Sequence, residues 1–198
     1  MKRSTLALGL VWLIVACAGQ HDDATRVPLT SPTAPSADAP PATPPPALQL
    51  DGPITFAGLS KGAVVTGYEE SGVTLQVING AWEASDSYGN PAPFVQFRVA
   101  GGDTGSGTLQ FNAGGATFTF RSVDVYASTT PIPYTIAGLR SGAEVVSLSG
   151  TVPNTFGQFR TVAGGEPVTI DTLRITLTNR AAPCCANPMG IDNLLLAK

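Results

Sequence analysis

Charge is what this sequence has least of. Asp, Glu, Lys and Arg make up 13% of 198 residues, and the net charge is -3. No basic cluster is present to neutralise a phosphate backbone, which argues against nucleic acid as a partner. Histidine occurs once, at His21, ahead of the region patterned to fold. Ser-His-Asp and Cys-His catalysis are therefore excluded from that region. The three cysteines are Cys17, Cys184 and Cys185, with no C-x-x-C pair and so no zinc spacing. No apolar run reaches the roughly 20 residues of a spanning helix. Glycine-rich stretches such as 101–107 lack a Lys-Ser/Thr and a helical pattern after them, so they read as turns rather than phosphate cradles. Glu83 with Asp86 has the chemistry for glycoside hydrolysis, but nothing in the sequence positions the pair. Together these absences point away from an enzyme.

What is present begins with a targeting segment. Lys2 and Arg3 precede the apolar run Leu6–Val15, and small residues follow at Ala16, Cys17, Ala18 and Gly19. This is the charged, apolar and cleavage-site order of a secretory signal. Residues 17–47 carry Pro28, Pro32, Pro35, Pro40, Pro41, Pro44, Pro45 and Pro46 among Ala, Ser, Thr and Asp. Few apolar groups are available to offset the cost of ordering, so an extended spacer is expected. Residues 1–16 are thus read as signal, 17–47 as linker and 48–198 as one domain of ordinary size.

From Leu48 the pattern becomes one of short alternating runs. Val73, Leu75 and Val77 alternate with Thr74 and Gln76; Leu173, Ile175 and Leu177 alternate with Arg174, Thr176 and Thr178. Each such run gives one buried and one wet face. Phe118 and Phe120 are followed by Val123 and Val125 one residue out of phase, which predicts a bulge near Arg121–Ser122. Glycine pairs punctuate the runs at 101–102, 114–115 and 164–165. The expectation is an all-β antiparallel two-sheet jelly roll of roughly ten strands with little helix, with an Ig-like sandwich as runner-up.

Two resemblances add to this reading. Ile14-Val15-Ala16-Cys17 resembles the lipobox of bacterial lipoproteins, which implies cleavage before Cys17 and acylation of that residue. By the same resemblance, Ala18 after the cysteine implies outer-membrane sorting. The alternative is cleavage after Ala18 as an A-x-A site, giving a soluble secreted or periplasmic product. Within the domain, Phe56-Ala57-Gly58-Leu59 through Gly67–Thr74, then Gly89–Pro93, then Asn187–Asn193 resemble the exported jelly-roll domains found in PEP-CTERM-sorted proteins. They are more distantly similar to galactose-binding-like carbohydrate modules. The chain carries no sorting tail after its last run, so the lipobox is expected to supply the anchor. The carbohydrate-module resemblance implies a structural calcium shared by Glu69 or Glu70 and Asp192, since calcium takes six to eight oxygen ligands. The competing reading has these carboxylates solvated or capping turns.

Residues 79–93 hold the most varied chemistry: Trp82, Tyr88 and Asn90 with nearby acids. An aromatic face beside amides and carboxylates is the usual make-up of a sugar site, so these three are candidate ligand-binding residues. The alternative places Trp82 and Tyr88 in the core. Cys184 and Cys185 are adjacent in a loop, and export favours their oxidation to a vicinal disulfide, with free thiols or intermolecular bridges as the alternatives. The leading functional expectation is a membrane-tethered, non-catalytic binding module for glycan. The second is a structural component of the cell envelope that contacts protein partners. An exposed Trp82 would favour the first, and a buried Trp82 with a free sheet edge the second.

Overall fold

The computed structural model describes residues 48–87, 92–99, 103–154, 158–180 and 187–198, within a compact unit spanning Thr43–Lys198. Cys17, Tyr88, Asn90, Cys184 and Cys185 lie outside the described residues, as do the signal and linker. The strands are β1 (Val64–Val65), β2 (Gly67–Glu70), β3 (Val73–Asn79), β4 (Trp82–Ser85), β5 (Phe94–Val99), β6 (Gly105–Asn112), β7 (Phe118–Ala127), β8 (Ile132–Arg140), β9 (Ala143–Val152), β10 (Arg160–Ala163), β11 (Thr169–Ile170), β12 (Thr172–Asn179) and β13 (Asn187–Ala197).

They form two antiparallel sheets. One has the order β1-β4-β5-β13-β7-β10, with β11 also on β7; the other has the order β2-β3-β6-β12-β8-β9. The fold is the all-β jelly-roll sandwich that the alternation predicts, with no helix among the described residues. Period-2 patterning assigns the faces. Leu173, Ile175 and Leu177 of β12 and Leu109 and Phe111 of β6 point inward, against Val95, Val123, Val125, Ile191 and Leu196 of the opposite sheet. Burying such side chains contributes roughly 1.5–3 kcal/mol each, and this one core holds the sheets together.

The phase slip on β7 appears where the sequence places it. Ser122 pairs with Leu195 and Phe120 with Leu196, which leaves Arg121 as the extra residue of a bulge. The matching irregularity on β13 falls between Asp192 and Leu195. There Asn193 adopts a left-handed backbone with φ 46°, a conformation asparagine tolerates better than most residues. Beyond it Leu194 bridges Ile54, so the N-terminal segment of the domain is stitched to its last strand.

Candidate functional site

Two places answer the expectations from the sequence, and a third emerges from the strand register. The first is the stretch around Trp82, part of which is strand β4. Trp82 pairs with Phe97 and Ser85 with Phe94 across β4 and β5. The tryptophan is 1% exposed. Its ring packs 5.4 Å from Phe97, and its indole N–H donates to the Asn79 carbonyl at 2.9 Å. No face is left for a sugar to stack on, so Trp82 is a core residue and its assignment to a binding surface is corrected. The alternation of Trp82 and Ala84 with Glu83 has the period of a strand, though it does not say which face is buried. The two carboxylates weighed for hydrolysis are also taken apart. Glu83 Oε1 accepts from Gln96 at 2.9 Å and pairs with Arg98 at 2.9 Å, whereas Asp86 pairs with Lys61 at 2.7 Å.

The second place is the junction of Glu70 and Asp192. Strand alternation separates Glu69 from Glu70. Glu69 stands exposed beside Thr74 on the outer sheet face, so it has no access to Asp192. Glu70 turns toward the Thr55–Phe56 segment. Its Oε1 accepts from the Thr55 N–H at 3.1 Å and the Thr55 hydroxyl at 3.2 Å. Its Oε2 accepts from the Phe56 N–H at 2.9 Å and the Tyr68 hydroxyl at 3.0 Å. Four donors fill the roughly four lone-pair sites of a carboxylate. The latch holds Phe56, which is fully buried at a left-handed φ of 58°, a costly conformation for a bulky residue. Burial pushes the Tyr68 phenol up, and the Glu70 carboxylate adds to that.

Asp192 is fully buried at the β13 irregularity and faces Asp124 across the ladder. Its Oδ1 accepts from the Asn193 N–H at 2.8 Å, but its Oδ2 has no hydrogen-bond partner among the described residues. Burial pushes this carboxyl up to about 7; the Asn193 N–H opposes the rise, and the Asp124 and Glu70 carboxylates add to it. The unpartnered oxygen is what a cation would seek, but the rest of the donor set is missing. Glu70 is saturated by protein donors, Asp124 is held by Thr161 and Asn193, and no cluster of three acidic, His or Cys side chains forms among the described residues. The shared calcium implied by resemblance does not fit the residues as they stand. Proton uptake by Asp192 does.

The third place was not singled out by the sequence reading. Apart from Ile78, which is exposed at the β3 register shift, the outward positions of β3, β6 and β12 are polar, and the register sets them in rows. Thr74, Asn112 and Thr172 form one row; Gln76, Gln110 and Arg174 form the next; Thr108 with Thr176 and Ser106 with Thr178 follow. Thr108 and Thr176 share a hydrogen bond of 2.9 Å, Ser106 and Thr178 one of 3.0 Å, and the Arg174 Nε donates to Gln110 at 2.8 Å. The rows run on to Thr135 and Ser149, and to Ala137 and Ser147, on β8 and β9. Arg174 is the only charge on the three central strands of this face. Solvated sheet faces commonly carry Lys and Glu; these three strands offer hydroxyls and amides around a single guanidinium, with Glu69 on neighbouring β2. The alternation of Thr and Gln was legible, but only the register shows that they form rows.

No protein-family model matches the chain, and no curated protein matches it. Solved structures similar to it include the family 32 carbohydrate-binding module of C. perfringens NanJ in complex with galactose. The match has 14% identity over 64% of this chain and 98% of that one, with a TM-score of 0.40. A family 29 module from Piromyces equi matches at 13% identity over 68% and 87%, with a TM-score of 0.40. A family 28 module specific for non-crystalline cellulose matches at 12% over 71% and 97%, with a TM-score of 0.39. At these values no residue role or ligand passes from them to this chain.

Proposed function

We propose that this protein is an exported, lipid-anchored, non-catalytic module that binds glycan across the outer face of its six-stranded sheet. The rows of Thr, Ser, Asn and Gln around Arg174 carry the reading. A saccharide presents hydroxyls that both donate and accept, and side-chain hydroxyls and amides match both roles. The strands hold these groups on a rigid, repeating surface, so little ordering cost falls on binding. Export and anchoring rest on the charged-apolar-small order ending at Cys17; several acyl chains on one residue give a stable anchor where one does not.

The test is a glycan array probed with the purified protein, followed by calorimetry with any oligosaccharide found. Binding that is lost in Arg174→Ala and in Thr176→Val, with the fold intact by circular dichroism, supports the reading. An empty array sinks it. A second reading, an assembly component of the envelope, is favoured by the buried Trp82 and by β9. This is a ten-residue edge strand whose only charged residue is Glu144, and it has the free backbone that another chain's strand pairs with.

A further inference from the structure

The flank of the sandwich between β9 and β10, the free edges of the two sheets, is only partly closed. Ile170 of β11 plugs one stretch by lying against Gly138, where an added Cβ would come within 2.8 Å of its Cγ2. Leu148 approaches Gly165 in the same way, with 3.9 Å to an added Cβ. Beyond this plug the gap remains open as a cleft of ≈ 360 Å³, with Tyr134 and Val152 on one wall and Arg160 and Val162 on the other.

Strand parity accounts for both walls. Tyr134 pairs with Leu177 and so shares the inner face with the core. Arg160 and Val162 pair with Val125 and Val123, whose side chains are core as well. Opposite Tyr134 on β9 stands Gly150, where an added Cβ would lie 2.5 Å from the phenol oxygen. The glycine lets the ring lie across the edge strand toward the open flank. An inward-facing charge on an edge strand is often a guard against strand addition. Arg160 differs from a bare guard in two respects. It shares its cleft with an aromatic ring, and it forms no ion pair among the described residues. The neighbouring acid, Asp124, is engaged by the Thr161 and Asn193 side chains.

The geometry points to this cleft as a subsite for a carboxylate-bearing pyranose, that is, a uronic acid residue of an acidic glycan. Arg160 receives the carboxylate, as guanidinium forks do. Tyr134 covers the apolar face of the ring, and the free edge of β9 and Thr151 meet its hydroxyls. This inference rests on reading the domain as glycan-binding.

Calorimetric titration of the purified protein with oligogalacturonate, and separately with neutral galacto-oligosaccharide, tests it. The acidic ligand is expected to bind, and to bind more weakly as salt rises. Arg160→Ala should weaken it by roughly tenfold or more, Arg160→Lys should recover part of the loss, and Arg98→Ala should leave it unchanged. Tyr134→Phe should retain binding and Tyr134→Leu should lose it. Acidic binding that ignores Arg160→Ala overturns the cleft and leaves the glycan reading standing. Neutral binding without acidic binding does the same. Binding of neither ligand overturns the cleft, and the glycan array decides the wider reading independently.

Discussion

Gly107 lies directly beneath Trp82: an added Cβ would sit 2.8 Å from Cζ2 of the indole and 2.7 Å from the Phe97 ring. The absence of a side chain on β6 makes room for the largest side chain of the core. Gly107→Ala should therefore force the Trp82–Phe97 pair apart and cost about 1–3 kcal/mol, as overpacking does. Trp82→Ala should cost about 3–5 kcal/mol through the cavity it leaves. Denaturant unfolding reads both. Affinity for any glycan should fall only as far as the folded fraction falls. A Trp82→Ala protein of normal stability that fails to bind sugar would return the tryptophan to a binding surface.

The fold was legible because its signal is local and repeats. Leu173, Ile175 and Leu177 announce β12 on their own, and the slip from Phe120 to Val123 announces a bulge at Arg121. The site was less legible because it depends on which strands become neighbours. Nothing in the segment Ser106–Asn112 says that its hydroxyls will meet those of β12, 64 to 72 residues later. Trp82 shows the reverse failure. Its chemistry suits a ligand site, but what decides its role is Gly107 and Phe97, which only pairing brings to it. For Glu70 the adjacent acid Glu69 made the choice ambiguous, and strand alternation resolved it.

Asp192 makes stability depend on pH in a defined window. Its folded-state value is pushed up to about 7, against 3.8 unfolded. Between these values the folded protein binds the extra proton, so stability falls as pH rises from about 4 to about 7 and levels off above. One proton gives a slope of at most about 1.4 kcal/mol per pH unit. For a domain of this size each kcal/mol moves the melting temperature by roughly 2–4 °C. Melts at pH 4.5, 6 and 8 should show the decline, and Asp192→Asn should flatten it. A wild-type melt that instead rises between pH 4.5 and 7 would mean that Asp192 is charged and compensated in the fold.

Calcium distinguishes the latch at Glu70 from an ion ligand. Because four protein donors already occupy its carboxylate, chelator and millimolar calcium should give the same melt. Glu70→Gln should lose about 1–3 kcal/mol in both conditions, since an amide has one acceptor where four donors converge. A ligand that binds only the folded state must raise its stability. A calcium-dependent rise that disappears in Glu70→Gln and in Asp192→Asn would therefore restore the shared ion.

Asn187 ties the last strand to the β7–β8 loop and to β12, and its amide orientation is fixed by what surrounds it. The Oδ1 accepts from the Thr129 N–H at 2.8 Å and the Thr130 N–H at 3.4 Å. The Nδ2 donates to the Thr130 hydroxyl at 2.8 Å and to the Asn179 Oδ1 at 3.0 Å. Asn179 in turn donates to the Asp103 carbonyl at 2.9 Å. With the residue fully buried, Asn187→Ala removes the partner of two backbone donors and two acceptors, and should cost about 3 kcal/mol or more. Asn187→Asp separates the two halves of the amide. Its oxygen still accepts from both N–H groups, but once ionised it sets a buried charge against the Asn179 oxygen. Its stability should approach that of wild type at acid pH, where the carboxyl carries a proton to donate, and fall away as the pH rises. An Asn187→Asp melt that keeps a constant offset from wild type across the range would show that the Asn179 contact contributes little, leaving the two loop N–H groups as the whole of the tie.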